Sequence, residues 1–582
     1  MSTTSSTNFA AVDGVSLRPR LLTFRRILSA LAAIAALAIS WKFAEVDLSL
    51  LFRPATAAAI WTFVAHSFPP DLSPPFLRTV LQATAQTVAT AVAGTLLSVV
   101  FAVPLGILAT GTLWNRGVLV AAEGRAAYKA GWIVNRLARA LLGFLRAVPD
   151  LMWALLFVAS VGLGPLAGTL ALAVSYGGIL GRVYADVFEH VDPQPLEAIQ
   201  STGATPMQIF LRGIWPQALP HLTAYTLYSF ECCLRAAAVL GFVGAGGIGY
   251  EISVSMRLFD YGQVLTLLLV FVLLLTLIDA ASRHVRARLA ETSRNPAAEY
   301  VSNENQTLPP KFVSRPRGLA LPITVLLVVS YSFFVAGFSP AALSQAHLAT
   351  LMEFVGRMFP LDLSWSFLKG LGVPLVQTIA TSLMGTLAGV ALASVLAIPA
   401  TSTLTLLRAD SPGRHGFPQR ALRWVFFYGA RFVLNVLRSI PELVWVLICI
   451  IAVGIGPFAG TIALGLHTAG VLGKLYAETM EEVPLRPIEA LRCLGARPLQ
   501  ILLWAIWPQA RPLLASYSVL RWESNLRAST ILGLVGGGGL GQAIYNNVQL
   551  GFYPRLTTLI LLVYGLVLAC DWIGERLRLH VA

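Results

Sequence analysis

Leu145-Arg146-Ala147-Val148-Pro149-Asp150-Leu151-Met152-Trp153 is met a second time as Leu437-Arg438-Ser439-Ile440-Pro441-Glu442-Leu443-Val444-Trp445. The shift is 438 − 146 = 292 positions, and it holds without a gap from 144–249 to 436–541. Under it Gly162 falls on Gly454, Tyr184 on Tyr476, and the pair Glu231/Arg235 on Glu523/Arg527. A period of this length is a duplicated domain and not a solenoid repeat of about 20–50 residues. Two equivalent halves facing each other across an axis enclose one shared pathway.

Composition sets the environment. Of 582 residues 56% are hydrophobic and only 12% charged, with a mean hydropathy of +0.72. Soluble domains carry about a quarter charged residues, so most of this surface must face a lipid bilayer. The net charge of +14 therefore reads as loop Lys and Arg that set orientation, and nucleic acid is not an expected partner. The five cysteines, Cys232, Cys233, Cys449, Cys493 and Cys570, show no metal-ligand spacing. They read as small core residues without a disulfide framework.

Apolar runs of about 20 residues fall six to a half. In the first they lie near 27–44, 79–111, 137–161, 165–186, 217–245 and 262–282. In the second they lie near 319–338, 373–400, 427–454, 457–478, 509–537 and 556–574. The expected fold is an all-α integral membrane protein with two tandem, parallel-oriented halves of six helices. The Ala-rich run after Arg25-Arg26 lacks a convincing cleavage site and reads as an uncleaved first span. The expected division is a first half over 1–284, a polar linker over 285–318 and a second half over 319–582.

Basic residues mark one side. Arg18, Arg20, Arg25 and Arg26 precede the first span, and Arg116, Arg125 and Lys129 follow the second. The linker region adds Arg283, Arg286, Arg288, Arg294, Lys311, Arg315 and Arg317, and the second half adds Arg408, Arg414, Arg420 and Arg423. Six spans per half put all of these on one face, which the positive-inside rule makes cytoplasmic, together with both termini. The loops 45–78 and 339–372 fall outside.

Between the fourth and fifth spans the chain reads Glu197-Ala198-Ile199-Gln200-Ser201-Thr202-Gly203-Ala204, continuing to Ile214-Trp215-Pro216-Gln217. The second half reads Glu489-Ala490-Leu491-Arg492-Cys493-Leu494-Gly495-Ala496, continuing to Ile506-Trp507-Pro508-Gln509. Such a segment predicts a short helix ended by a Gly with φ > 0, with the Pro opening the next span. Both loops resemble the EAA loop of ATP-binding-cassette importer permeases, with Ile199 and Leu491 in place of the second Ala and Trp215 and Trp507 in place of the usual Leu.

The resemblance implies that Glu197, Ala198, Gly203, Glu489, Ala490 and Gly495 couple this chain to two copies of a separate ATPase. ATP and Mg would be used by that partner, with no cofactor or metal in this chain and no catalytic residue of its own. The one approach to a P-loop, Gly470-Val471-Leu472-Gly473-Lys474-Leu475, lacks the Ser/Thr and lies in a span.

A second resemblance is narrower. The two Arg-x-x-Pro-Asp/Glu segments, the following 161–165 and 453–457, and the Gly-rich runs 241–249 and 533–541 are similar to phosphonate importer permeases. There two permease copies form one pore, and here they are fused. The resemblance implies a phosphorus oxyanion as cargo (phosphonate, phosphate or phosphite) and an extracytoplasmic binding protein as partner, in a bacterial inner membrane.

Charges within spans are candidate functional residues. Arg146 and Arg438 are placed well inside the third spans, facing a shared axis where they attract an oxyanion. The alternative is an intrahelical pair with Asp150 and Glu442, four residues on. Glu231/Arg235 and Glu523/Arg527 carry the same two readings. Ser529-Thr530, opposite Ala237-Ala238, and Ser524-Asn525, opposite Cys232-Cys233, make the second half more polar along the pathway. Gly244, Gly246, Gly247, Gly536, Gly538 and Gly539 are candidate gate residues, each run preceding a short loop to the last span. Close helix packing is the alternative.

Two rival functions stay open. A methionine-type importer shares the coupling loop, and an ion-driven transporter would use Asp279 and Asp571, although both sit at the end of the last span.

Overall fold

The computed structural model describes residues 24–114, 125–293, 320–338, 352–406 and 417–581. Half of the expected charge bias, namely Arg18, Arg20, Arg116, Arg294, Lys311, Arg315, Arg317, Arg408 and Arg414, lies outside the described residues, as does 294–318 of the expected linker.

Helices account for nearly all of the described chain. The first half comprises α1 (Phe24–Phe43), α2 (Pro54–Ser67), α3 (Pro74–Ala109), α4 (Arg125–Ala147), α5 (Asp150–Val161) and α6 (Pro165–Glu189). It continues with α7 (Pro193–Ser201), α8 (Trp215–Leu240), α9 (Gly247–Arg257) and α10 (Tyr261–Ser293). The second repeats the plan with α11 (Ala320–Val335), α12 (Gly372–Ala400), α13 (Phe417–Ser439), α14 (Glu442–Val453) and α15 (Pro457–Glu481). It ends with α16 (Leu485–Cys493), α17 (Trp507–Leu532), α18 (Gly539–Gln549) and α19 (Tyr553–Val581). The last helix of the first half thus runs nine residues past the expected boundary at 284.

Seven helices among the described residues are long and apolar enough to cross a membrane, and nine spans result if each bent pair is one. The other three expected spans are present as helices that miss that test. α1 and α11 contribute only short apolar stretches, Ile34–Phe43 and Leu326–Val335. α17 carries Arg511, Arg521, Glu523 and Arg527.

The expected straight third spans are broken. α4 and α5 meet at 87°, and α13 and α14 at 96°. Pro149 and Pro441 stand at the breaks as N-caps of α5 and α14, because the residue before a proline is driven out of the helical region. A helix that stops inside a bundle leaves carbonyls without partners. Here the Trp153 indole N–H donates to the Leu145 carbonyl at 3.4 Å, and Trp445 to Leu437 at 3.2 Å. The repeated Trp of the opening motif closes the break that the repeated Pro creates. Arg146 and Arg438 consequently sit in the last turns of α4 and α13, beside the breaks, and not deep in straight helices.

The broken ends lie flush on the fourth spans. A Cβ at Gly178 of α6 would stand 2.6 Å from Leu145 Cβ and 2.8 Å from the Arg146 nitrogen. Gly470 of α15 abuts Arg438 in the same way, at 2.5 Å from its nitrogen.

The halves interlock by exchange. α1 of the first half packs on α12 of the second, and α11 of the second packs on α3 of the first. Ala147, Val148, Met152, Leu155 and Leu156 of α4–α5 share a core with Leu559, Val563 and Val567 of α19. Reciprocally, Ile440 at the break and Leu443, Val444 and Val446 of α14 share one with Val264, Leu267 and Phe271 of α10. This reciprocity is what a pseudo-two-fold axis between parallel repeats produces.

Gly178→Val should overpack the α4–α6 contact and cost about 1–3 kcal/mol. Thermal unfolding in detergent would show it as a lower midpoint than that of Gly143→Ala, whose Cβ would meet nothing within 4 Å.

Candidate functional site

The interface holds an open cavity of ≈ 1160 Å³ lined by both halves. Its polar wall has seven arginines, Arg139, Arg146, Arg182, Arg235, Arg438, Arg521 and Arg527, against the carboxylates Asp150, Asp186 and Glu442, with His467. A second cavity of ≈ 570 Å³ lies beside it and shares Arg235 and Arg438.

Neither intrahelical pair considered for the third span forms. Arg146 reaches across the interface to Asp571 at 3.4 Å, and Arg438 reaches Asp279 at 4.0 Å. These are the same pair with the halves exchanged. The two aspartates considered as ion sites are therefore counter-ions of the interface arginines. With 43% of the Arg146 side chain and 25% of the Asp571 side chain accessible, the first pair is wet and loosely held, a geometry worth about 0–1 kcal/mol.

Glu231 and Glu523 do not line the cavity. Both are buried, and each is held by the last helix of its own half, Glu231 by Arg286 at 2.6 Å and Glu523 by Arg578. Their sequence neighbours Arg235 and Arg527 point the other way, onto the cavity wall. Ser529 and Thr530 are also turned away from the cavity: Ser529 donates to the Thr378 carbonyl at 3.0 Å and Thr530 to Arg527 at 2.6 Å. Asn525 is buried against Thr386 and Thr468 at 2.8 and 2.9 Å. Of the polar replacements read along the fifth span, Ser524 alone is among the cavity's lining residues.

The polar asymmetry that does face the cavity lies elsewhere. Glu442 Oε1 is 3.2 Å from His467 Nε2 and 3.4 Å from Arg521 Nη2. The corresponding residues of the first half are Asp150, Ser175 and Ser229. The 292-residue shift contains this signal, but position 467 and position 521 lie outside every quoted motif.

The coupling loops take the expected form. Glu197 and Ala198 lie exposed on α7, and Glu489 and Ala490 exposed on α16, with Leu196 and Ile488 turned into the core. Gly203 and Gly495 follow the helices at φ of 81° and 80°, the left-handed position that a C′ residue adopts. Pro216 and Pro508 do not open their spans. The helix runs continuously from Met207 to Val243, with a π turn over Phe210–Ile214 and another over Leu502–Ile506. The wider turn absorbs the amide that each proline lacks.

The Gly-rich runs end α8 and α17 and lead into the 11-residue helices α9 and α18, not into short loops. Each helix start is tied to the second span. Gly247 N–H donates to Gln86 at 2.8 Å and Ile248 N–H to Thr87 at 2.9 Å, and Leu540 N–H donates to Thr378 at 2.9 Å. No residue of either run lines the cavity. Val243 and Leu534, one from each run, pack into the same apolar clusters and fill that end of the interface.

Interlocked parallel repeats around a polar, arginine-lined cavity define a polytopic membrane transport protein. The chain belongs to the family described as binding-protein-dependent transport system inner membrane component, which it matches over residues 117–291 and 419–581. A phosphate-import permease protein of Mycolicibacterium smegmatis is 33% identical over 501 residues, 84% of each chain. A phosphite transport system permease protein of Stutzerimonas stutzeri is 37% identical over 246 residues, covering 42% of this chain and 82% of its own. A probable D-methionine transport system permease protein of Vibrio cholerae is 31% identical over 156 residues, 25% of this chain and 68% of its own.

The buried and the wet arginine pairs should separate in stability. Arg578→Ala strands Glu523 and should cost about 3–5 kcal/mol, whereas Arg146→Ala should cost no more than about 1 kcal/mol. Unfolding midpoints of the two variants in one detergent give the comparison, and equal losses would contradict it.

Proposed function

We propose that this chain is the complete transmembrane pathway of an ATP-driven importer for a small phosphorus oxyanion, whether phosphate, phosphonate or phosphite. The observation that carries the reading is the arginine-rich cavity at the interface of the fused halves. Its excess of cations attracts an anion, while its size leaves the arginines wet enough to release one. The names of the phosphate and phosphite relatives support the same cargo class.

The basic face carries α7 and α16 and lies in the cytoplasm with both termini. Two ATPase subunits dock there, one under each loop, and bind the ATP and Mg. A binding protein delivers cargo at the opposite face. Closure of the ATPases moves α7 and α16, and the continuous π-turn helices transmit that motion to Arg235 and Arg527 on the cavity wall. The runs around Gly244, Gly246 and Gly247 and around Gly536, Gly538 and Gly539 form the outer gate, held by Gln86 and Thr87 and by Thr378.

Proteoliposomes holding the chain with its ATPase and binding protein should accumulate labelled phosphate, phosphite or methylphosphonate when ATP is supplied. Arg146→Gln with Arg438→Gln should slow uptake by about tenfold or more while the ATPase stays bound. Gly495→Val, which forces a β-branched side chain into the left-handed position, should release the ATPase instead. Uptake by the chain alone would overturn the reading.

Spin labels at Tyr250 and Gln542 report on the gate. Their separation should change when ATP is trapped in the complex. A fixed distance during normal turnover would make the Gly-rich runs packing elements.

A further inference from the structure

At ≈ 1160 Å³ the cavity exceeds the size of pockets that enclose drug-sized ligands, so its shape cannot grip an ion as small as phosphate. A holding point in such a pathway has to be a local cluster of donors. The two walls differ at several places, and at one of them the second half brings two cations and a carboxylate together. The second half presents Arg521, His467 and Glu442 where the first presents Ser229, Ser175 and Asp150.

The hydrogen-bond geometry of that cluster is restrictive. His467 Nδ1 lies 3.0 Å from the Ile440 carbonyl oxygen. A carbonyl only accepts, so this nitrogen carries a hydrogen. Nε2 lies 3.2 Å from Glu442 Oε1, and a lone pair facing a carboxylate would repel it. One proton therefore lies between ring and carboxylate, on one or the other. Wherever it resides, the trio with Arg521 keeps one net positive charge. Arg521 is further oriented by its Nε, 3.4 Å from Thr468 Oγ1. Asp150, Arg235 and Arg527, from the neighbouring helices, line the same cavity.

Glu442 thus occupies the donors that an oxyanion would use: one guanidinium and one imidazole N–H, converging on one carboxylate oxygen. The first half shows where this side chain goes when no cations hold it. Asp150, at the matching first position of α5, turns back and accepts from the Leu151 N–H at 3.0 Å. Glu442 begins α14 beside the same kind of break, so the same retreat onto its own helix start is open to it.

We propose that Arg521 and His467 form a one-sided oxyanion-holding subsite, in which the Glu442 carboxylate stands in for the cargo and is displaced by it. The idea rests on the phosphorus-oxyanion reading above and adds which wall and which residues hold the ion. Displacement makes holding brief. Arriving cargo pushes Glu442 onto the α14 start, and its return expels the ion.

Two measurements on the full complex with its ATPase and binding protein test this. In equilibrium dialysis with labelled inorganic phosphate, Glu442→Gln should retain phosphate at least about tenfold better than the unmodified complex. Arg521→Ser/Glu442→Gln, which removes the guanidinium together with the carboxylate, should lose that gain. In uptake, Arg521→Ser should fall by about tenfold or more, and Arg521→Lys should recover part of the loss. Ser229→Ala, whose hydroxyl has no hydrogen-bond partner among the described residues, should stay within about twofold. If Arg521→Ser fails to assemble, the double variant, which leaves no unpaired charge, replaces it. Equal phosphate retention by Glu442→Gln and the double variant, or normal uptake by Arg521→Ser, would overturn the subsite. Failure of the unmodified complex to take up phosphate, phosphite or methylphosphonate would instead overturn the cargo reading, and the dialysis comparison would still decide the subsite.

Discussion

An ionised arginine inside a membrane-spanning bundle must face water or an acid, since neither lipid nor apolar side chains solvate a guanidinium. The interface between the halves is organised around that requirement. Arg146 and Arg438 are answered by Asp571 and Asp279 from the opposite half, and the remaining wall arginines face a cavity large enough to be wet. Since each partner comes from the other repeat, the ion pairs also fix the register in which the repeats meet. The exchanged first helices and the reciprocal cores of α4–α5 on α19 and α14 on α10 lock the same register through apolar contact.

The break at Pro149 and Pro441 is how the sequence delivers charge to that interface. A straight helix would carry Arg146 and Asp150 on one face, four residues apart, where they would neutralise each other. Turning the chain by nearly a right angle between them separates the two. The arginine is left at the end of one helix, free to cross to the other half, and the acid at the start of the next, where the helix dipole favours it. Trp153 and Trp445 pair carbonyls at the break. The motif Arg-x-x-Pro-Asp/Glu-x-x-Trp is thus one mechanical unit.

The duplication is close to symmetric in its scaffold and asymmetric in its cavity. Glu231–Arg286 and Glu523–Arg578 repeat each other, as do Arg139–Glu189 and Arg431–Glu481 and the hydroxyl pairs Tyr184–Thr226 and Tyr476–Ser518 at 2.6 Å. These contacts hold helices together in each half, and a change in one copy would weaken that half alone. Around the cavity the constraint is lighter, because water can solvate what a neighbour does not. That is where Ser175 and Ser229 stand opposite His467 and Arg521.

By itself the sequence determined the duplication, the membrane environment, the helical class and the form of the coupling loops. Each follows from local quantities: a constant shift, apolar run length, and Gly at the end of a short helix. It also marked Arg146, Arg438, Arg235 and Arg527 as charges needing an explanation. Only the tertiary structure decided their partners, because Asp571 lies more than 400 residues from Arg146 in the chain and no spacing rule connects them. It likewise decided that Glu231 and Glu523 belong to the scaffold, that Ser529 and Thr530 turn away from the cavity, and that His467 and Arg521 converge on Glu442. Helical periodicity says which residues share a face. Which face meets water depends on how two halves pack, and packing is a property of the whole fold.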